Sequence, residues 1–152
     1  MELKNKIIIS LLLSGGVFLG YYLWLSFRPV EIIAVHQRNS YSDVLVSNFP
    51  FTNKGEIDWW LKNKEMLKTK YDIPKPSSYG SSSIVFWLFD DGYKEEGKYD
   101  RLCFNDMATK VNCIDKNTVL TVGNSQRYGT RFTLSDGIYR VDENGRVIKI
   151  NK

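Results

Sequence analysis

The chain has 152 residues, enough for one domain and a short appendage and too few for a multidomain enzyme. With 43% hydrophobic and 25% charged residues and a mean hydropathy of -0.30, it is neither a disordered chain nor a polytopic membrane protein. Of its 21 Lys and Arg, Lys4, Lys6 and Arg28 precede Pro29, as does Glu2 of its 17 Asp and Glu; the remainder therefore carries 18 cations against 16 anions, interleaved along the chain. That net charge of +2 lacks the one-sided basic face of a nucleic-acid binder, in spite of a pI near 9.0.

Ile7 to Phe27 contains no charge, and as a helix rising ~1.5 Å per residue it reaches ~31 Å, the thickness of a bilayer's hydrocarbon core. Lys4 and Lys6 before it, Tyr21, Tyr22 and Trp24 near its end, and Arg28 and Pro29 after it fit a transmembrane segment. The rival is a cleaved signal peptide with its apolar stretch at Ile7 to Leu13 and the small residues Ser14 and Gly16 before the cut. Cleavage there leaves Val17 to Phe27 on the mature N-terminus, an apolar run that a soluble protein would have to bury, so the uncleaved anchor is preferred. No cysteine follows the run to accept a lipid, which excludes a lipoprotein. Lys4, Lys6 and the amino terminus against Arg28 and Arg38 place the tail in the cytoplasm and the body in the periplasm of a bacterial inner membrane. The expected division is 1–28 for tail and span and 29–152 for the body. Gly16 and Gly20 make a GxxxG pair, a spacing that permits close helix pairing in a homo-oligomer.

In the body, Val30 to Gln37 and Ser42 to Ser47 read as a hairpin about Arg38 to Tyr41, with Ile32, Ala34 and His36 on one strand face and Glu31, Ile33 and Val35 on the other. Asn53 with Glu56 three positions on resembles a capping box, and apolar residues at 57, 60, 61, 67 and 71 predict a helix from about Gly55 to Lys70. The two prolines, glycine and five serines of Ile73 to Ser83 predict a loop. Ile84 to Phe89 reads as a buried strand ending at the Asp90-Asp91-Gly92 turn, followed by short strands at 101–104, 111–114, 119–122, 130–134, 138–141 and 146–150. Asp136-Gly137 and Asn144-Gly145 mark hairpin turns between the last three. The fold class is α+β: a transmembrane helix, then a small domain of mostly antiparallel strands with one main helix.

His36 is the only histidine, so any triad must use it; its place beside Ala34 and Ile32 suits a packed or hydrogen-bonded residue better. Asp90, Asp91, Glu95 and Glu96 lack the spacing of a calcium loop and, with Lys94 and Lys98, read as a solvated turn. The serines at 77, 78, 81, 82 and 83 lack the G-x-S-x-G context of a nucleophile. No catalytic group, cofactor or metal is therefore assigned. Cys103 and Cys113 suit facing strands of a hairpin, and an exported compartment favours a disulfide worth roughly 2 to 3 kcal/mol; the C-x-x-C of a redox site is missing. Trp59 and Trp60 point about 100° apart on a helix, so Trp60 joins the core with Ile57 and Leu67. Trp59 is left either to rest on the bilayer or a partner, or to pack under the serine loop.

The strings Phe49 to Phe51 (FPF), Ile57 to Lys64 (IDWWLKNK), Lys70 to Pro76 (KYDIPKP), Asp91 to Lys94 (DGYK), Asp100 to Met107 (DRLCFNDM) and Asn112 to Asn117 (NCIDKN) resemble an enterobacterial family of membrane proteins of unknown function, over nearly the whole chain. The resemblance implies a small single-pass envelope protein and transfers no site residue. Three classes of function compete: a cell-wall enzyme, a structural or accessory envelope protein, and a membrane-tethered binding protein such as an immunity protein that neutralises a toxin. The reading preferred here is the last, with Trp59, Lys62, Tyr79, Tyr93 and Tyr99 as partner-binding residues.

Overall fold

The computed structural model describes residues 1–150. It opens with α1, Glu2–Phe27, exposed at every residue through Trp24. Its 26 residues reach about 39 Å, and its apolar side chains surround the axis rather than forming one stripe. The helix starts before Ile7 because Glu2 to Lys6 include good helix formers, and it stops at Arg28, extended at φ -60 and ψ 132 in front of Pro29.

The body contains β1 (Glu31–Arg38), β2 (Tyr41–Ser47), α2 (Asn53–Tyr71), β3 (Ser82–Leu88), β4 (Leu102–Cys103), β5 (Cys113–Ile114), β6 (Thr118–Ser125), β7 (Gly129–Leu134), β8 (Gly137–Val141) and β9 (Val147–Lys149). Seven strands make one sheet in the order β1-β2-β3-β6-β7-β8-β9, and β4 pairs with β5 alone. The fold is α+β, with the expected C-terminal meander running from β6 to β9. One pairing departs from a purely antiparallel sheet: β2 and β3 run parallel, joined by α2. Parallel neighbours need a crossover, and α2 supplies it across one face of the sheet.

Both ends of α2 differ in detail from the sequence expectation. Thr52, not Asn53, is the N-cap, its Oγ1 accepting from the Gly55 N–H at 3.0 Å. Glu56 therefore lies one place too far along to close a capping box, and its side chain turns inward instead. At the other end Asp72 is left-handed (φ 54, ψ 44), its N–H reaching the carbonyls of Leu67 and Lys68, while Ile73 packs into the core.

Two apolar layers result. On the α2 side, Ile57, Trp60 and Leu67 bury against Val44, Val46, Ile84, Phe86, Leu120, Val122 and Phe132. Phe86 is the hub, with ring centroids of Phe49, Trp59 and Trp60 at 5.3, 5.6 and 6.2 Å. On the opposite face the long β3–β6 connection folds back over the sheet, burying Phe104 and Ile114 on Leu45. The strict alternation expected for β1 fails at one point. Ile32 pairs with Val46 and Ala34 with Leu45, so Ile33 is an extra residue, and Ile32 and Val35 face α2 while Ala34 faces the connection.

Candidate functional site

The single histidine sits where the β3–β6 connection meets the sheet. The residue is 6% exposed, and the Phe104 ring lies parallel to its imidazole at 3.8 Å. His36 Nδ1 is 2.8 Å from one Asp106 carboxylate oxygen and 2.9 Å from the other, and Nε2 is 2.9 Å from the Tyr93 hydroxyl. A carboxylate only accepts, so the proton lies on Nδ1, and in the neutral ring Nε2 accepts from the tyrosine. Burial, and then the negative charge of Asp106, push the Tyr93 phenol above its ordinary value and keep it a donor. The hydroxyl–imidazole–carboxylate order is that of a catalytic triad, but the Tyr93 ring is wedged edge-on between Phe89 and Phe104, at centroid distances of 4.9 and 6.4 Å. The three groups together latch the connection to β1.

Next to the latch, Asp43 pairs with His36 across β1 and β2 and is 2% exposed. One of its oxygens accepts from the Trp87 indole at 2.9 Å and the other from Arg38 at 3.0 Å, so the buried carboxylate is fully engaged. Cys103 and Cys113, facing each other across β4 and β5, are joined as a disulfide. Around them the acidic turn is tied into a charged network. Lys94 reaches Asp115 at 2.7 Å and Asp91 at 3.4 Å, while Arg101 reaches Asp115 at 2.9 Å and the Glu95 carbonyl at 2.8 Å. The hydrogen bonds from Lys94 and Arg101 hold the Asp115 carboxyl below the usual range, and the same contact raises Lys94. Among the described residues no three His, Cys, Asp or Glu side chains gather as a metal site.

The five residues singled out in the sequence do not form one surface. Trp59 packs in edge contact with Phe49 and Phe86 and, with Lys62, lines a cleft against the end of α1. Tyr93 belongs to the latch. Tyr99 is exposed on the connection with the Arg101 guanidinium 4.6 Å over its ring. Tyr79, 79% exposed, sits at the opposite end of the sheet from the α1 junction.

At that far end three loops converge. β1 leaves the α1 junction and turns at Asn39 and Ser40; Tyr41 pairs with Ser83, and Ser82 with Asn124. The β1–β2 turn, the serine loop and the β6–β7 turn are thus neighbours, and a Cβ added at Gly80 would stand 3.2 Å from Gln126. Tyr41, Tyr79 and Tyr128 are all exposed there, and the guanidinium groups of Arg127 and Arg131 lie 5.0 and 4.1 Å over the Tyr128 ring. Arg131 keeps a buried Nε without a hydrogen-bond partner beside a shallow hollow of about 230 Å3 lined by Ser82, Asn124 and Tyr128. Neither 73–89 nor 116–135 contains an acid, and the neighbouring acids Asp43 and Asp72 are paired with Arg38 and with Lys68 and Lys75, so the charge that Arg127 and Arg131 add here is positive. Sequence reading found only Tyr79, because the gathering depends on the parallel crossover; the signal available was the absence of acids from both segments.

No curated protein and no solved structure matches the chain. A family profile matches residues 1–151, and the family is described as "Enterobacterial putative membrane protein (DUF943)". The apolar α1 agrees with that description, and the chain belongs to this enterobacterial family.

Proposed function

We propose that the protein is a single-pass envelope protein of the bacterial inner membrane, its tail in the cytoplasm and its body in the periplasm, that acts without catalysis by binding another protein. The observation that carries this reading is the far end of the sheet. Three exposed tyrosines arrive there from three separate loops, with two arginines stacked on one of them and no acid in the 73–89 and 116–135 segments that form most of it. Tyrosine and arginine supply most of the strong anchors in protein interfaces, and cations here select an acidic partner surface. Toxin immunity is one case of such binding, the partner then being a toxin that arrives from outside.

Two experiments test the proposal. A reporter enzyme that works only outside the cytoplasm, fused after Lys152, is expected to be active; activity from a cytoplasmic reporter instead would remove the topology. Cross-linking capture in the cell's own envelope and with competitor strains is expected to yield one protein partner that is lost on Tyr79→Ala or Arg131→Gln and kept on Tyr99→Ala. Trp59→Ala is a poor probe, because it disturbs the packing around Phe86. Loss of capture on Tyr99→Ala alone would move the binding surface to the β3–β6 connection.

A further inference from the structure

The other end of the body carries a separate feature. Between the last turns of α1 and the start of α2 lies a cleft of about 320 Å3, with Tyr22 and Leu25 on the α1 wall and Trp59 and Lys62 on the α2 wall. Arg28, the residue that ends α1, lines it and keeps a buried Nε with no hydrogen-bond partner. Asp58 also lines the cleft, but its carboxylate is taken up by Lys54 at 3.0 Å. Arg28, whose guanidinium lies 5.3 Å over the Trp24 ring, and Lys62 therefore leave the lining positive.

The surrounding surface sets where this cleft lies. Phe51, in the loop before α2, is 59% exposed and meets Tyr22 edge-on at 6.0 Å, which brings the body level with the aromatic end of α1. Tyr21, Trp24 and Phe27 are exposed on the same turns. Aromatic side chains of this kind collect at the headgroup level of a bilayer. With α1 across the membrane, the cleft opens at that level, beside a helix whose exposed flank suits an acyl chain.

We infer that the cleft holds the phosphate of an anionic phospholipid from the leaflet next to the body. Arg28 supplies the planar donors and Lys62 a second cation, Asn48 and Thr52 add polar walls, and the lipid's chains run down α1. The lipid would thereby seat the body on the membrane at a fixed angle.

The inference rests on α1 spanning a bilayer, which is checked separately: carbonate washing must leave the full chain in the membrane pellet, and its release into the supernatant would overturn both readings. The full chain, stripped of lipid in detergent, is then titrated with phosphatidylglycerol or phosphatidylcholine and followed by native mass spectrometry. Phosphatidylglycerol is expected to bind more tightly, and Arg28→Gln or Lys62→Gln each to weaken it about fivefold, the worth of one cation near a membrane surface. Lys64→Gln, an equal change of charge at an exposed position of α2 outside the cleft, should leave binding as it was. Equal binding of the two lipids, or an equal loss with Lys64→Gln, would overturn the site. So would displacement of bound lipid by millimolar inorganic phosphate, which would make it a site for the free ion. Should Arg28→Gln misfold, by loss of the far-ultraviolet spectrum, the exposed Lys62 variant carries the test.

Discussion

The two faces of the seven-stranded sheet are covered by different chemistry. On the α2 face a continuous apolar layer centred on Phe86 does the work, and the rings of Phe49, Trp59 and Trp60 each meet the Phe86 ring. On the other face the buried apolar cluster is only Leu45, Phe104 and Ile114, too little to hold a long irregular connection against its chain entropy. That face is secured instead by the Cys103–Cys113 bond, by the His36–Tyr93–Asp106 latch, and by the network through Asp115. A small domain can thus split its stabilisation, one side by area and the other by a few specific ties, and the two sides should fail differently.

The sharpest way to break the contrast is at Phe86. Phe86→Ala deletes a wholly buried ring and should cost about 3 to 5 kcal/mol, enough to unfold the body in a urea titration followed by tryptophan fluorescence. Retention of a normal urea midpoint would mean that the sheet is not organised around this ring.

Glu56 is the exception within the apolar face. It is 7% exposed, and burial raises its carboxyl to about 7 from an ordinary 4.5. The folded state therefore holds a proton that the unfolded state releases between those values, so the contribution of Glu56 is most favourable below pH 4.5 and is lost as pH rises from there to about 7. The cost at pH 8 is up to about 3 kcal/mol. Glu56→Gln is expected to stabilise the body at pH 8 and to leave it nearly unchanged at pH 4; urea midpoints at the two pH values read the difference. A wild-type stability that rises from pH 5 to 7.5 more steeply than that of the variant would reverse the sign of this claim.

On the other face, Cys103→Ser with Cys113→Ser should cost roughly 2 to 3 kcal/mol, and chiefly locally. Limited proteolysis is expected to cut first within 90–117 while the sheet survives, and intact mass with and without a thiol-blocking reagent in the wild type should show no free thiol. The smallest effect belongs to the latch. Tyr93→Phe removes one hydrogen bond to a buried ring and should cost about 1 to 2 kcal/mol, visible as faster amide exchange in the connection with little change in β6 to β8. Equal acceleration across the whole sheet would mean that the two faces form one cooperative unit.

Legibility in the sequence followed the range of the interactions. The β1–β2 hairpin, α2, the buried β3 run and the C-terminal meander could be read because periodicity, caps and Gly-containing turns act within a few residues. The cysteine pair could be read from count, spacing and the expected compartment together. Four features could not. The parallel β2–β3 pairing depends on how α2 packs, and the bulge at Ile33 changes no residue type, although it moves every later side chain of β1 to the other face. His36 was legible as a packed residue but not its partners, which lie 57 and 70 positions away. Trp59 was expected to point away from the core that holds Trp60, yet both indoles meet the Phe86 ring, because Phe49 and Phe86 fill the space beside Trp59, a packing fact with no local signature.

The short passage from α1 into β1 bounds the reach of this molecule. Only Arg28, Pro29 and Val30 separate helix from strand, a link of about 10 Å at most, and the eight residues of β1 add no more than about 27 Å before the turn that leads to Tyr41. With α1 across a bilayer, as proposed, the tyrosine-bearing end would be confined to a shell less than about 40 Å deep over the membrane, with no flexible stalk to extend it. On the proposed reading, encounters would be limited to bodies that drift along the same surface or descend almost to it, so the density of the protein per unit area of bilayer, rather than its concentration in the surrounding volume, would set how often it meets them.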